Sequence, residues 1–279
     1  MSTTATTTPV ASAQDVVVTY RVKQGRDAGM VRALNGVSLD ITAGQTVGVV
    51  GESGSGKTTL GRVLLGLVTP NSGQVRFRGA PLTGRGVVGR HSRRNKGRLQ
   101  VVLQNPDWSL NPALHLWRSV AEPLAITNGA PRRDRRAAVE EMLTLVGLDS
   151  TLADRHPHEL SGGQRQRVAI ARAMITRPDL IVFDEAVTAL DVSVQTQILN
   201  LIRDLQAERG FAALFISHDI AAVRYVAHHI AVVHQGQIVE SGPVDRFYGQ
   251  PEHPYTRQLL GALPSVTDNR RTEGTHSTE

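Results

Sequence analysis

Three groups of side chains in this sequence could bind a phosphorylated molecule or activate a water molecule against it. The first is the segment GESGSGKTT, in which two glycines separated by four residues are followed by lysine and threonine, the pattern of a phosphate-binding loop. In such a loop the backbone N–H groups surround phosphate oxygens, and the helix that follows points its positive end at them. The nucleotide-binding residues predicted from this segment are Gly51, Ser53, Gly54, Ser55, Gly56, Lys57, Thr58 and Thr59.

The second group consists of two carboxylates, Asp184 and Glu185, which directly follow the apolar run LIVF. Such a run is typical of a strand buried on both faces. Near a triphosphate, Asp184 is placed to hold Mg²⁺ through water, with the Thr58 hydroxyl as a further ligand, and Lys57 supplies charge to the β- and γ-phosphates. Glu185 is placed to act as a general base on the attacking water. The alternative, two acids that merely end a strand, is disfavoured by the phosphate-binding loop in the same chain.

The third group is the segment LSGGQRQRVAIARAM, residues 160–174. It has no cysteine, acid/base pair or metal-ligand cluster, so it offers nothing that could cleave a bond. Its adjacent glycines and helical pattern form a bare helix start, which is a favourable place for an anion. The residues of the segment do not identify that ligand.

Three single residues each allow two interpretations. Gln104 follows an apolar run, where its amide could bind Mg²⁺ or orient a water molecule. His218 follows the strand-like segment AALFIS and is either structural or catalytic. Tyr20 could stack on a nucleotide base, although an aromatic residue in a strand more often serves packing.

The elements that must position these residues alternate between strands and helices, which indicates an α/β protein with a largely parallel sheet. The strand-like segments are 16–22, 37–41, QTVGVV, LIVF, AALFIS and IAVV. The segment HQGQIVESG is predicted to form a terminal hairpin that turns at Gly236. After the phosphate-binding loop, the apolar residues at helical spacing on one face are Leu60, Val63, Leu64 and Leu67.

Strand signals disappear between about Gln104 and His158, where helical patterning takes over. In RRAAVEEMLTLVGL the apolar residues that align are Val139, Met142, Leu143 and Val146. An all-helical insertion into the α/β core accounts for this change. The predicted organisation is a disordered polar leader at 1–14, a main domain at 15–245 with a helical subdomain at about 105–164, and a C-terminal extension at 246–279.

Composition excludes several classes of protein. The 279 residues include no cysteine, which excludes disulfides and thiolate metal sites. No stretch approaches the roughly 18 apolar residues of a membrane span, and the N-terminus lacks the pattern of a secretory signal. The formal charge of +6 is concentrated in residues 84–98 and 131–136. These segments are solvated surface, a basic loop near anionic headgroups or, least favoured, a nucleic-acid contact.

The chain resembles the ATP-binding subunits of ABC transporters over roughly Val16 to Pro264. The resemblance is carried by the order of its motifs: Tyr20, GESGSGKTT, Gln104, LSGGQ, LIVFDE, TALD and His218. The fold class implied is an α/β P-loop NTPase, an ABC nucleotide-binding domain with a RecA-like core, an inserted helical subdomain and an antiparallel β element. The cofactors implied are ATP and Mg²⁺.

This resemblance also implies a ligand for LSGGQ. In the family, two ATP-binding subunits pack head to tail around two ATP molecules, and this segment of one subunit faces the γ-phosphate bound to the other. A helix terminus contributes only ~0.3–2 kcal/mol, but this contact forms only when the dimer closes on triphosphate. By resemblance, Gln104 and His218 assist Glu185 in catalysis, and the further nucleotide-binding residues are Tyr20, Ser161, Gly162, Gly163, Gln164 and Asp191.

Two segments, NPDWSLNP and GQIVESGPVDRFYGQPEHPYTRQLL, resemble the peptide/nickel importer branch of the family. The function implied is ATP hydrolysis that powers oligopeptide or dipeptide import, by a peripheral protein at the cytoplasmic face of the cell membrane. The partners implied are a second ATPase subunit, unlike or identical, two transmembrane permease subunits and an extracytoplasmic solute-binding protein. The helical insertion, with the loop Gln104–Pro112 at its entry, is the expected docking surface for the permease.

Other functions and two departures from the family pattern bear on this interpretation. Nickel, sugar or opine import, and export, share the same chemistry and differ in cargo. An ABC ATPase of DNA repair or translation is disfavoured by the single phosphate-binding loop, so no nucleic-acid partner is expected, and a module without hydrolysis is disfavoured by Glu185. Ala186 stands where the family often has proline, and a chain without cysteine cannot hold the iron–sulfur cluster of some peptide importers.

Overall fold

Two sheets and a group of helices make up the computed structural model, which describes residues 8–24, 27–82, 95–127 and 131–262. The larger sheet has six strands in the order β10-β9-β3-β8-β7-β6. These are β3 (Thr46–Val50), β6 (Leu99–Leu103), β7 (Leu180–Asp184), β8 (Ala212–Ile216), β9 (His229–His234) and β10 (Gln237–Pro243). All neighbouring pairs are parallel except β9 and β10, which form the antiparallel hairpin predicted at Gly236.

The smaller sheet is antiparallel, with the order β2-β1-β4-β5. Its strands are β1 (Ala11–Gln24), β2 (Asp27–Ile41), β4 (Ser72–Phe77) and β5 (Ala80–Pro81). One face covers α1 (Lys57–Leu64), because Leu60, Val63 and Leu64 of this helix share a single buried cluster with residues of both sheets. Together the two sheets provide the core and the antiparallel β element predicted from the sequence.

The helical insertion predicted after Gln104 contains no strand in the described residues 104–127 and 131–158. It begins with a short 3-10 turn at Pro106–Trp108 and continues with α2 (Leu116–Thr127) and α3 (Arg132–Leu145). Two more 3-10 turns, Ser150–Asp154 and Pro157–Glu159, lead into α4 (Gly162–Met174). Val139, Leu143 and Val146 are fully buried and Met142 is partly buried, as the helical spacing predicted.

The remaining helices complete the sheet and its C-terminal appendage. They are α5 (Val192–Arg209), α6 (Ile220–Val226), α7 (Val244–Gly249) and α8 (Pro254–Gly261). The predicted domain boundary between 245 and 246 falls inside α7, which begins at Val244. Among the helices in the described part of the chain, none combines the length and apolar character that a membrane crossing requires.

The structure differs from the sequence prediction at two element boundaries. The leader predicted at 1–14 overlaps β1, because Ala11 pairs with Ile41 and is 1% exposed. Small and polar residues in this stretch concealed a strand that is stabilised by backbone pairing. Leu67, predicted on the buried face of α1, is 69% exposed, since the helix ends at Leu64 and Gly66 adopts a left-handed φ of +70°.

Only part of the first basic segment lies within the described residues, whereas the second basic segment is described completely. Residues 84–94 of the first segment lie outside them, and so does the tail from 263 onward. The second segment opens α3, where Arg136 donates two hydrogen bonds to Asp154, at 2.7 and 2.8 Å, and one to Glu140 at 2.6 Å. At least this arginine therefore ties α3 to the 3-10 turn at Ser150–Asp154.

Candidate nucleotide-binding site

The phosphate-binding loop connects the buried strand β3 to the N-terminus of α1. Two of its glycines have conformations and surroundings that exclude a side chain. Gly51 has a φ of +145°, and a Cβ atom there would lie 2.1 Å from the carbonyl oxygen of Val233. Gly56 has a φ of +113°, and its Cβ would lie 2.4 Å from the carbonyl oxygen of Ala33. The glycines thus let the loop lie directly on β9 and β2.

Lys57 is the first residue of α1 and is only 6% exposed. Its Nζ donates to the carbonyl oxygens of Gly51, at 2.8 Å, and Glu52, at 2.7 Å. Burial lowers the pKa of Lys57, while the carboxylates of Glu185, Asp184 and Glu52 act in the opposite direction. The ammonium group is therefore a partly desolvated charge within the loop, where an anionic ligand would interact with it strongly.

The hydroxyl of Thr58 donates to the carboxylate of Asp184 over 3.1 Å, which joins the start of α1 to the end of β7. Burial raises the pKa of Asp184 above its ordinary value, the Thr58 hydrogen bond opposes this, and the neighbouring Glu185 adds to it. A desolvated carboxylate of this kind is stabilised in its charged form by a cation. Hydroxyl, carboxylate and amide oxygens are ligands that Mg²⁺ accepts, so Thr58, Asp184 and Gln104 fit a magnesium ion.

A cation at this position would be bound by a combination of one carboxylate with hydroxyl and amide oxygens. Within the described ranges, no group of three or more His, Cys, Asp and Glu side chains is arranged to hold a metal ion. Mg²⁺ usually keeps several waters and is shared between one or two protein carboxylates and substrate phosphates. The arrangement at Asp184 suits that mode of binding.

Glu185 has a left-handed backbone φ of +53°, which is uncommon for a residue with a long side chain. Its backbone N–H donates to the carbonyl of Ile216 over 2.9 Å, so β8 holds this conformation in place. The Glu185 side chain is 19% exposed, and its Oε2 lies 2.9 Å from Nδ1 of His218. Strained backbone held by its surroundings is frequent at functional sites, and here it aims a carboxylate at a histidine.

The parallel order of the sheet explains why these residues meet. Leu103 is in register with Asp184, and Asp184 with Ile216, so Gln104, Glu185 and His218 follow the carboxyl ends of adjacent strands. The phosphate-binding loop follows β3, which is the next strand along. Together they line a cleft of about 650 Å³, whose walls are formed by Tyr20, Ala33, Ser53, Gly54, Gly56, Lys57, Thr58, Thr59, Gln104, Glu185 and His218.

Three predicted site residues lie beside this cleft rather than on its walls. Gly51 and Ser55 belong to the loop but are buried. Asp184 is connected to the cleft by the hydrogen bond that it accepts from Thr58. Ala33 lines the cleft although the sequence offered no signal for it, because an alanine in a strand looks like any packing residue. Tyr255 was also missed, and its hydroxyl accepts a hydrogen bond from the backbone N–H of Glu52 over 3.1 Å.

The LSGGQ segment lies outside this cleft. Ser161 caps α4, since its hydroxyl oxygen accepts from the Gln164 N–H at 3.3 Å while the Gln164 side chain accepts from the Ser161 N–H at 2.9 Å. Ser161 and Gly162 are exposed. Asp191 is likewise exposed and caps α5 by accepting from Val194 N–H at 2.9 Å. One protomer therefore does not bring Ser161, Gly162, Gly163, Gln164 or Asp191 to its own cleft.

The two glycines of LSGGQ have different surroundings. A Cβ atom on Gly163 would lie 2.6 Å from Cγ1 of Val194 in α5. A Cβ on Gly162 would find its nearest neighbour, Leu190 Cδ2, at an ordinary 4.0 Å. Gly163 is thus needed for packing within the chain, whereas Gly162 leaves open space in front of the helix start.

This difference predicts unequal effects of two alanine substitutions. Gly163→Ala should lower the thermal unfolding midpoint by several degrees, because overpacking costs about 1–3 kcal/mol. Gly162→Ala, the matched control, should unfold close to the wild type. Val194→Ala should restore the midpoint of Gly163→Ala, since it removes the clashing methyl groups. Equal midpoints for Gly163→Ala and Gly162→Ala in thermal melts would show that the close packing is not what requires Gly163.

Comparison with known proteins gives consistent matches for two parts of the chain. Residues 34–188 match the family model described as ABC transporter, and residues 239–278 match the model described as oligopeptide/dipeptide transporter, C-terminal region. The di/tripeptide transport ATP-binding protein DppF of Pseudomonas aeruginosa is 46% identical over 260 residues, which is 92% of this chain and 80% of the relative. The dipeptide transport ATP-binding protein DppF of Escherichia coli is 43% identical over 267 residues, 95% of this chain and 79% of that protein.

Solved structures with the same fold include a cassette described as dimeric. The dimeric structure of MJ0796, a bacterial ABC transporter cassette, superposes with a TM-score of 0.74 at 29% identity and covers 84% of this chain and 98% of its own. The same cassette in a dimeric post-hydrolysis state bound to ADP and Pi superposes with a TM-score of 0.73 at 30% identity. The fold class predicted from the sequence is confirmed by these matches.

Proposed function

The chain belongs to the ABC transporter family of ATP-binding proteins, and from that premise we propose that it hydrolyses ATP to power peptide import through a separate membrane permease. The observation that carries the enzymatic part is the convergence of Lys57, Thr58, Glu185 and His218 on one cleft at the carboxyl edge of the sheet. The peptide cargo is supported by the C-terminal match over 239–278 and by relatives named for peptide transport.

The loop residues bind the triphosphate of ATP in this proposal. The buried Lys57 ammonium lies within the loop, where it donates to the carbonyl oxygens of Gly51 and Glu52. An ammonium group has three N–H donors, so it can also donate to a phosphate oxygen. The N-terminus of α1 adds its positive dipole end to the same position. Tyr20, at 38% exposure on the wall of the cleft, offers a ring on which the base could stack.

Thr58, Asp184 and Gln104 would hold the magnesium ion that accompanies ATP. When bound, this ion neutralises charge on the β- and γ-phosphate oxygens. The chain's own contribution is to orient the ligands: the Thr58 hydroxyl already lies 3.1 Å from the Asp184 carboxylate. Gln104 stands at the start of the helical insertion, so a change at the γ-phosphate would reach that insertion through its side chain.

Glu185 acts as the general base in this mechanism. Its carboxylate takes a proton from the attacking water as the new bond to the γ-phosphorus forms and ADP leaves. His218 Nδ1 lies 2.9 Å from Glu185 Oε2, and its side chain lines the same cleft beside the carboxylate. The positive φ of Glu185 fixes the direction of the side chain against β8.

A second ATPase subunit, identical or unlike, completes the site in this proposal. The LSGGQ segment of each subunit would face the γ-phosphate held by the other. Because the Ser161 hydroxyl oxygen accepts a hydrogen bond from its own helix, its proton remains available to donate outward. Gly162, with open space in front of it, allows a close approach. The related cassette, described as dimeric in its solved structures, supports this assembly.

The other partners proposed are two transmembrane permease subunits and an extracytoplasmic solute-binding protein, with this chain peripheral at the cytoplasmic face. The decisive experiment is to purify the chain with its permease and solute-binding protein and to measure ATP hydrolysis with a panel of peptides. Stimulation by di- to oligopeptides supports the proposal. Stimulation only by nickel ions, sugars or opines, or no stimulation by any solute in an active complex, would contradict peptide import.

We expect the 3-10 turn after Gln104 to dock on the permease. Trp108 in this turn is 75% exposed, and Asp107 lies 3.2 Å from Arg165 of α4, which links the turn to the LSGGQ helix. Because the chain has no cysteine, Trp108→Cys introduces a single thiol. Labelled with a maleimide–benzophenone reagent, whose photoreactive end inserts into nearby C–H bonds, it should form a cross-link to the permease, whereas Leu67→Cys, at a similarly exposed position outside the insertion, should not. Equal cross-linking of both, or of neither, would refute this docking site.

A further inference from the structure

The helix α8 of the C-terminal region contacts the phosphate-binding loop through one side chain. Tyr255, in the segment HPYT, is 8% exposed, and its hydroxyl accepts the backbone N–H of Glu52 over 3.1 Å. Its ring lies against the imidazole of His234 with 3.9 Å between ring centroids. His234 ends β9, directly after Val233, whose carbonyl oxygen faces Gly51 at the start of the loop. The tyrosine thus contacts both the loop and the strand on which the loop rests.

The hydrogen bond from Glu52 involves the same peptide unit that Lys57 contacts. The carbonyl of the Gly51–Glu52 peptide belongs to Gly51 and accepts from Lys57 Nζ at 2.8 Å, while its N–H belongs to Glu52 and donates to Tyr255. In a trans peptide the C=O and N–H point in opposite directions, so this peptide is held from both sides. Gly51 imposes little restriction of its own on the adjacent torsion angles, so these two hydrogen bonds favour the observed orientation of the peptide.

The tyrosine is itself held in place by the hairpin β9–β10. The carboxylate of Glu240 in β10 accepts the backbone N–H groups of Glu252 and His253, both at 2.9 Å, just before α8 begins. The His253 ring nitrogen Nδ1 accepts the N–H of Tyr255 at 3.2 Å and caps the helix. Burial acts to raise the pKa of Glu240, but these backbone hydrogen bonds, together with the side chains of Thr256 and His253, outweigh it and the pKa lies below its ordinary value. The carboxylate is therefore charged at neutral pH and keeps α8 attached.

We propose that Tyr255 is a positioning residue for ATP binding, which couples the C-terminal region to the nucleotide site by holding the Gly51–Glu52 peptide in the orientation that Lys57 requires. This inference rests on the proposed ATPase function and adds a specific role for a helix outside the nucleotide-binding motifs. A shift of α8 would release the Glu52 N–H and loosen the loop, so any partner that binds the C-terminal region could change ATP affinity through this contact.

The test compares two tyrosine variants in the full-length chain, with MgATP as the probe. Tyr255→Phe removes the hydroxyl that accepts from Glu52 and retains the ring against His234. Tyr248→Phe is the matched control, because it removes a hydroxyl that donates to the backbone carbonyl of Ile220 at 2.8 Å and does not touch the loop. Each variant leaves one backbone group without its partner, so both should lose a similar amount of thermal stability.

Tyr255→Phe should raise the Kd and KM for ATP roughly two- to tenfold, the effect of one neutral hydrogen bond, while kcat stays near the wild-type value. Tyr248→Phe should leave Kd and KM unchanged. If Tyr255→Phe binds ATP as tightly as the wild type, or if both variants weaken ATP binding equally, the positioning role is wrong. If the wild-type chain itself binds no ATP, the proposed function fails instead, so the two failures are distinguishable.

Discussion

Replacing Glu185 with glutamine should reduce ATP turnover by about 100-fold or more, the scale expected for loss of a general base, while ATP binding persists. The amide keeps the size of the side chain and cannot accept the proton of the attacking water. In the wild-type chain the side chain of Glu185 is 19% exposed, and its Oε2 lies 2.9 Å from Nδ1 of His218. Because hydrolysis is what ends the nucleotide-bound state, the variant should accumulate as an ATP-bound closed dimer.

Two measurements check this expectation. Steady-state phosphate release gives the turnover, and size-exclusion chromatography with and without MgATP reports the dimer. Glu141→Gln, the same substitution at an exposed position in α3, is the matched control and should match the wild type in both assays. Turnover of Glu185→Gln within a few-fold of the wild type would remove Glu185 from the role of base. A variant that never dimerises with ATP, even beside its partner ATPase, would contradict the shared site.

Replacing Lys57 with alanine should strongly weaken ATP binding. Hydrogen bonds to charged groups are worth ~1.5–3 kcal/mol each, so losing the ammonium should raise the Kd by about 10- to 100-fold or more. The loss extends beyond the ligand contacts, because the carbonyls of Gly51 and Glu52 also lose their partner. The loop would then no longer be held in the shape that receives phosphate.

A binding titration with MgATP measures this effect separately from hydrolysis. Glu185→Gln provides the contrast, since it should retain ATP binding and lose turnover, whereas Lys57→Ala should impair both. Circular dichroism must show that Lys57→Ala remains folded, which is expected because Leu60, Val63 and Leu64 still anchor α1 in the core. Wild-type ATP affinity in a folded Lys57→Ala chain would exclude the cleft as the phosphate site.

Much of the α/β fold could be predicted from local patterns. Apolar runs such as 180–183 indicated buried strands, and the structure shows β7 buried over the same residues. The helical insertion was predicted because its apolar residues repeat at helical spacing, which depends only on neighbours along the chain. The boundaries were less predictable. Ala11 joins β1 by pairing with Ile41, and no local pattern reports a partner thirty residues away.

Some residues of the candidate site could likewise be identified from the sequence, whereas contacts between distant elements could not. The phosphate-binding loop, Asp184, Glu185 and His218 were identified because each follows a strand signal and carries a reactive or polar side chain. The sequence could not show that Gly163 packs against Val194, and it assigned that glycine only to contact with a ligand. Nor did it single out Tyr255, which resembles an ordinary packing residue until its hydroxyl is found 3.1 Å from the Glu52 nitrogen.

The order and spacing of residues were thus sufficient to predict the chemistry proposed for this protein: a loop for triphosphate, a carboxylate for a cation and another for water. These follow from side-chain types and from the rule that the ends of parallel strands meet at one edge. Distances between elements far apart in the chain depend on how the whole core packs, and local preferences do not encode them. Only the tertiary structure shows three features of the site: the hydrogen bond from the Glu52 N–H to Tyr255, the 2.9 Å distance between His218 and Glu185, and the exposure of Ser161 outside its own cleft.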